Sequence, residues 1–416
     1  MNLLEDLEFR GLLYQVTDGE GLAQRLQEGP ITLYNGFDPT ADSLTIGNLV
    51  TILLLRRFQL AGHKPIALAG GGTGLIGDPG GKTEERQLNA ADTVAEWAEK
   101  IKAQLEPFLD FSPGPYAAEM VNNYDWLGAV KAIDFMRDVG KHFSVPYMLA
   151  KESVSSRLET GISYTEFSYM VLQAFDFLQL YQSHGCQLQT GGSDQWGNIT
   201  AGTDLIRRSV GGKAFGLTCP LVTKADGTKF GKTEAGTIWL DPNRTSPYQF
   251  YQFWINAEDA KVVYYLKIFC FLEREEIEAL EAATRDEPHK REAQRRLAQD
   301  VTRLVHGMEA TGKAEKISRA LFSGELRDLE EDEIEQGFGD VPSFKLEDGE
   351  RGLIDLLVEA GVSPSKRQAR QDIQSGAVYL NGERCQDLQH QVRKSEGLHG
   401  KYVVIRRGKN KYFLVD

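Results

Sequence analysis

Between Ile31 and about Val222, short apolar runs of strand character alternate with longer stretches whose apolar residues recur every three or four positions. The run "ITLYNGF" stops at Asp38-Pro39, and a helical pattern begins near Gly47. "KPIALAGG" follows that helix, and "CQLQTGG" precedes "SDQWGNITAGTDLIRR". Such alternation predicts βαβ units and a doubly wound parallel sheet with ligands at the carboxyl ends of its strands, over residues 1–222. A polar, Lys-rich loop, "TKADGTKFGKTEAG", opens the connection 223–247. Beyond Pro247 the period becomes helical, which predicts an α-helical domain over 248–322. The acidic stretch from Ser323, with Gly and Pro near its end, reads as a linker over 323–350. The last segment, 351–416, reads as a small α+β module. Ser363-Pro364 marks a helix start, "AVYLNGE" a strand with an Asn-Gly turn, and "YVVIRR" and "KYFLV" two further strands.

Composition changes this picture little. Of 416 residues, 41% are apolar and 26% charged, with no low-complexity tract and no apolar run near membrane-spanning length. The N-terminus carries acidic residues among its apolar ones and lacks a small-residue cleavage site, so the expectation is a cytoplasmic protein with no membrane partner. Cys186, Cys219, Cys270 and Cys385 show no CxxC spacing and read as thiols, with no protein-bound metal expected. Charge is more telling by region. Residues 351–416 hold twelve Lys/Arg against seven Asp/Glu, a balance of +5, which leaves −18 of the net −13 on the first 350. The tail is basic and the body acidic, so the net charge does not by itself argue against a nucleic-acid partner.

Four stretches carry candidate chemistry. "GGGTGLIGDPGGK" (Gly70 to Lys82) has the glycines that let a ligand approach backbone, with Asp78 pointing into the same cleft; by itself it reads equally as a βα loop. In "YTEFSYMVLQAFDF", Tyr169, Gln173 and Asp176 fall on one helix face, where a carboxylate can accept from a ligand hydroxyl and Tyr34 can donate a second bond. A satisfied core network fits that stripe as well. "GGSDQWGN" offers a Ser193 N-cap and leaves Asp194 for ribose hydroxyls. "KFGKT" sets Lys229 and Lys232 in a loop able to swing over a triphosphate, or simply in solvated surface.

Together, "GFDPTADSL", "GGTGLIGDP", "GISYTEFSYM", "GGSDQWGNIT", "KADGTKFGKT" and "SPSKRQAR" make the chain resemble the bacterial tyrosyl-tRNA synthetases, class I aminoacyl-tRNA synthetases, from end to end. The resemblance implies a Rossmann-like catalytic domain, a helical domain and a C-terminal RNA-binding domain, in a homodimer. It implies two reactions at one site: tyrosine is activated by ATP, with magnesium accompanying the nucleotide, and the tyrosyl group passes to tRNA(Tyr). Tyr34 and Asp176 would hold the phenolic hydroxyl; Asp78, Tyr169 and Gln173 the α-amino group; Gln195 would lie near the carboxylate. Gly36, Asp38, Gly47, Asn48, Gly192 and Asp194 would bind ATP. Thr40, Lys82, Arg86, Lys229, Lys232 and Thr233 would meet the pyrophosphate. Arg207 and Arg208 would lie near the tRNA acceptor end, and Lys366, Arg367 and Arg370 would grip its phosphates.

One element departs from the family. Where it has His-Ile-Gly-His this chain reads Thr45-Ile46-Gly47-Asn48, and Asn35 stands where Cys is common. The Asn48 amide can present a donor in place of an imidazole N–H, whereas Thr45 is too short to reach the phosphate. Loss of one transition-state donor costs about 2.7–4 kcal/mol. Two readings follow: a working ligase with weakened adenylation, or a catalytically impaired relative that acts as an RNA-binding protein.

Overall fold

The computed structural model describes residues 2–80, 88–228, 230–233, 236–339, 341–346, 349–408 and 411–416. Strands β1 (Gln15–Val16), β2 (Thr32–Phe37), β3 (Lys64–Ala69), β4 (Glu119–Asn122), β5 (Cys186–Gly192) and β6 (Phe215–Cys219) form one sheet in the order β1-β6-β5-β2-β3-β4. All neighbours run parallel except β1, which pairs antiparallel with β6. From β2 the chain winds to β3 and β4 on one side; β5 and β6 lie on the other. The reversal falls between β2 and β5, where an open parallel sheet leaves a crevice beyond its strand ends.

The helices that cover this sheet follow from their sequences. Ile46–Leu60 is apolar almost all round, and Leu49, Ile52, Leu53, Leu54, Leu55 and Phe58 are fully buried, as a helix sandwiched in a core requires. Tyr164–His184 starts where the Ser163 side chain accepts from Glu166 N and ends at Gly185, whose φ of 62° is the left-handed C-cap glycine tolerates.

The chain divides into two compact units, residues 1–245 with 257–297, and residues 246–256 with 298–416. The helices expected to form a domain of their own over 248–322 are therefore shared. Helix Asp259–Phe269 belongs to the first unit because Arg10 and Arg57 bind the carbonyls at its end: Arg10 Nη2 donates to Leu272 O at 2.8 Å and Arg57 Nη2 to Cys270 O at 2.8 Å. Helix Pro247–Ile255 belongs to the second, where Tyr248 packs beside Ile317 and Phe338.

The acidic stretch is likewise not a plain linker. It contains helix Glu331–Phe338, whose Ile334 and Phe338, four apart, are buried with Val404 and Leu414 of the C-terminal sheet. Val403, Ile405 and Val415 face the opposite side with Leu356, Ala369 and Ile373, so helices cover both faces of that sheet. The Asn-Gly turn forms as expected: Asn381 (φ 48°) and Gly382 (φ 89°) join the antiparallel strands Val378–Leu380 and Glu383–Arg384. The expected helix start shifts by two residues. Ser365, not Ser363, caps Lys366–Gln374 by accepting from Gln368 N, while Ser363 is buried and donates to Asp372. Ser193 is also not a side-chain cap. Ser193–Gln195 is a 3-10 turn, and helix Trp196–Val210 begins after it without a capping side chain.

Candidate active site

At the crevice, β2 delivers Tyr34 into the layer formed by helix Tyr164–His184. Tyr34 is 1% exposed, its ring lies 5.4 Å from that of Phe177, and its hydroxyl has no hydrogen-bond partner among the described residues. Asp176, one residue before Phe177, is 2% exposed and near enough to raise the Tyr34 phenol further above its ordinary value than burial alone does. Its carboxylate accepts from Asn123 Nδ2 at 2.9 Å and from Trp126 Nε1 at 2.7 Å. Burial pushes Asp176 up from the usual carboxylate value to about 7; the two donors pull it down, and Asp38 adds a small rise. Sequence reasoning missed Asn123 and Trp126, although "NNYDW" follows a strand end in the same way as the stretch that pointed to Asp194.

The network continues toward the sheet. Asn123 Nδ2 also lies 2.8 Å from Thr73 Oγ1, which donates to Asp38 Oδ1 at 2.6 Å, and the Tyr169 hydroxyl donates to Asp38 Oδ2 at 2.6 Å. This explains one glycine of the Gly-rich run. A Cβ on Gly70 would sit 2.0 Å from Asp38 Oδ1 and 2.7 Å from Thr73 Oγ1, so Gly70 makes room for an internal hydrogen bond rather than for a ligand. Gly36 serves the ligand reading better: it is exposed, and a Cβ there would meet nothing closer than Leu68 at 3.7 Å.

Tyr169 lies among acids. Burial raises its hydroxyl most, then Asp38, Asp78 and Asp176 in turn, which places three carboxylates round one phenol. Asp78 accepts from Gly80 N and from Gln195 Nε2, both at 2.7 Å, and Gln195 reaches the exposed Asp194 at 3.2 Å. Gln173 is half-buried on the same helix as Tyr169 and Asp176. Such a concentration of negative charge suits an ammonium group.

At the start of helix Ile46–Leu60, Thr45 is tied to Asn48: Thr45 N and Thr45 Oγ1 both meet Asn48 Oδ1 at 3.0 Å. Gly47 and Thr40 are exposed at the same end, and Asn35 is buried, with its amide donating to Gly36 O. The Lys-rich loop is fastened there. Ile46 N donates to Ile238 O at 3.2 Å, Leu240 N to Leu44 O at 2.9 Å, and Gly231 (φ 79°) leaves no room for a Cβ, which would approach Ile46 Cγ1 at 2.8 Å. Lys232 is exposed and donates to Thr237 Oγ1 at 2.5 Å; Thr233 follows it in the two-residue strand Lys232–Thr233. Lys82, Arg86 and Lys229 lie outside the described residues.

The basic candidates are exposed as expected. Arg207 pairs with Asp204, and Arg208 donates to His142 O. In the tail, helix Lys366–Gln374 buries Ala369 and Ile373 and turns Lys366, Arg367 and Arg370 outward, with Lys366 paired to Asp355 at 2.7 Å. The sequence reading passed over a neighbouring feature: Tyr379 lies between Arg406, 3.9 Å from its ring centre, and Arg384, whose Nη2 donates to its hydroxyl at 2.9 Å. No group of three or more His, Cys, Asp or Glu able to hold a metal occurs among the described residues. No helix among them is long and apolar enough to cross a membrane.

Comparison with known proteins fits this geometry. Residues 26–323 match the family described as tRNA synthetases class I (W and Y), and residues 333–415 match the tyrosine–tRNA ligase SYY-like C-terminal domain. That second match begins inside the stretch first read as a linker. The tyrosine–tRNA ligase of Geobacillus kaustophilus is 64% identical over 416 residues, covering 100% of this chain and 99% of the relative. Tyrosine–tRNA ligase 1 of Bacillus subtilis is 62% identical over 417 residues, with the same coverage. Among solved structures, a C-terminally truncated mitochondrial tyrosyl-tRNA synthetase of Aspergillus nidulans superposes with a TM-score of 0.70 at 29% identity, covering 77% of this chain and 94% of that one. The matched catalytic family, the matched C-terminal domain and the full-length relatives agree, and the chain belongs to the tyrosine–tRNA ligase family of class I tRNA synthetases.

Proposed function

We propose that the chain activates tyrosine with ATP and transfers the tyrosyl group to tRNA(Tyr). In the first step a tyrosine carboxylate oxygen attacks the α-phosphorus of ATP, the bond to the β-phosphate oxygen breaks, and pyrophosphate leaves with that oxygen's electron pair. In the second, a hydroxyl of the tRNA's terminal adenosine attacks the activated carbonyl, its proton is lost and AMP departs. A carboxylate is already ionised at neutral pH, so the first step needs no general base and rests on positioning and charge stabilisation. Magnesium enters with ATP as part of the substrate.

In this reading the phenolic hydroxyl of tyrosine lies between Tyr34 and Asp176, its ammonium among Asp78, Tyr169 and Gln173, and its carboxylate near Gln195. Asp194 and Gly192 take the ribose. The backbone at the exposed Gly36 and Gly47, with Asp38 beneath, borders the nucleotide. Lys82, Arg86, Lys229, Lys232, Thr233 and Thr40 would meet the pyrophosphate. The observation that carries the reading is the Tyr34 hydroxyl. A buried hydroxyl without a partner costs about 1–3 kcal/mol, and beside the Asp176 carboxylate a ligand hydroxyl would complete the pair that the described residues leave open. ATP–pyrophosphate exchange tests it. Exchange should depend on tyrosine and be far weaker with phenylalanine or tryptophan; no tyrosine-dependent exchange would sink the reading and favour an RNA-binding relative without catalysis.

A homodimer is part of the proposal. Ile133 and Met136 on helix Ala132–Asp138, Val145 and Leu149 on helix Val145–Leu149, and Tyr164, 71% exposed, turn apolar side chains to solvent at helical spacing. Exposed apolar side chains of this kind suit contact with a second copy of the chain.

A further inference from the structure

We infer that Thr45 is a positioning residue for Asn48: it fixes the Asn48 amide with its oxygen turned to the protein and its NH2 group turned out toward the nucleotide. This rests on the reading above, in which Asn48 borders ATP.

The geometry leaves one orientation open. The backbone N–H of Thr45 can only donate, so the Asn48 atom it meets at 3.0 Å must be the oxygen. The amide oxygen can only accept, so the Thr45 hydroxyl, also at 3.0 Å, must donate to it as well. Both lone pairs of Oδ1 are thereby used. Nδ2 keeps both its protons and has no hydrogen bond among the described residues. Asn48 is half-buried, and the exposed Gly47 precedes it in the first turn of Ile46–Leu60, where the helix dipole already favours an anion. An amide free to flip would present its oxygen to the phosphate half the time, and an acceptor there repels it. With the flip blocked, Asn48 is a donor only.

Thr45 thus has a role of its own. It is too short to touch phosphate, yet its hydroxyl and its backbone hold the neighbour that does, so Thr45 and Asn48 act as one unit. Removal of the Thr45 hydroxyl should matter only while Asn48 is present.

The test is a double-mutant cycle read by single-turnover adenylate formation, with the folded fraction set by active-site titration. Thr45→Val removes the hydroxyl and keeps the backbone donor; it should slow adenylation about three- to tenfold, the worth of one hydrogen bond. Thr45→Ser should retain the rate. In an Asn48→Ala background, Thr45→Val should have no further effect. Asn48→Asp keeps the oxygen held by Thr45, and the helix start with it, but has no NH2; it should be at least as slow as Asn48→Ala while remaining stably folded. Equal losses from Thr45→Val in both backgrounds, or none in either while Asn48→Ala is slow, would overturn the positioning role and leave the Asn48 reading intact. A fully active Asn48→Ala would remove that reading itself, and the inference with it.

Discussion

Asn123 Nδ2 donates to Asp176 Oδ2 at 2.9 Å, joining the residue after β4 to a helix 53 positions further along the chain. With Trp126 on the other oxygen, it holds a buried carboxylate in a fixed orientation beside Tyr34. A hydrogen bond to a charged group contributes about 1.5–3 kcal/mol, so Asn123→Ala should raise the KM for tyrosine at least about tenfold. It should also lower Tm, since Asn123 Oδ1 accepts from Gly72 N and that buried donor would lose its partner. Tyrosine-dependent exchange and thermal melts check both.

Tyr34→Phe should separate stability from function. Removing a buried hydroxyl that has no partner among the described residues leaves the ligand-free protein as stable or slightly more so, by up to about 1 kcal/mol, while tyrosine loses a hydrogen bond. The expected result is an unchanged or higher Tm with a several-fold loss of preference for tyrosine over phenylalanine. A clear fall in Tm would mean that the hydroxyl is satisfied in the free protein.

The pH dependence follows from Asp176, raised by burial from 3.8 to about 7. The folded state holds this proton more tightly than the unfolded chain does. Its contribution to stability is therefore most favourable at low pH and declines as pH rises from 3.8 toward 7, levelling off above. Tyrosine binding should run the other way, because the ionised carboxylate is the stronger acceptor. The KM for tyrosine should fall between about pH 6 and 8, and Asp176→Asn should flatten that profile.

Charge reversal in the tail tests the RNA contact. Because Ile334 and Phe338 belong to the core of the C-terminal sheet, truncation near residue 350 would strip that core and confuse unfolding with lost binding. Arg367→Glu with Arg370→Glu on the full chain avoids this, as both side chains are exposed and unpaired among the described residues. Aminoacylation should weaken about tenfold or more at moderate salt, with a shallower salt dependence, while exchange stays unchanged. Unaltered charging would place the RNA contact elsewhere.

If these exposed apolar side chains meet a second copy of the chain, a charge among them should break the assembly. Ile133→Asp or Tyr164→Asp is expected to shift sedimentation at micromolar concentration from dimer to monomer. A monomeric parent protein would count against the dimer outright.

The alternation of strand and helix periods determined the sheet, and the run of glycines and acids at strand ends determined where its crevice lies, because period and turn chemistry are local properties of a chain. The Asn381-Gly382 hairpin and the outward Lys366, Arg367 and Arg370 face were legible for the same reason. Which elements share a core was not. Helix Asp259–Phe269 went with the first unit through two arginines far away in sequence, and the acidic helix Glu331–Phe338 joined the tail through Ile334 and Phe338, two apolar residues outweighed in composition by their charged neighbours. Gly70 looked like room for a ligand and proved to be room for an Asp38–Thr73 hydrogen bond. Only the folded chain could bring Asn123 and Trp126 to Asp176, or turn Thr45 toward the oxygen of Asn48, since a side chain's role is decided by the atoms that reach it across space and not by its own identity.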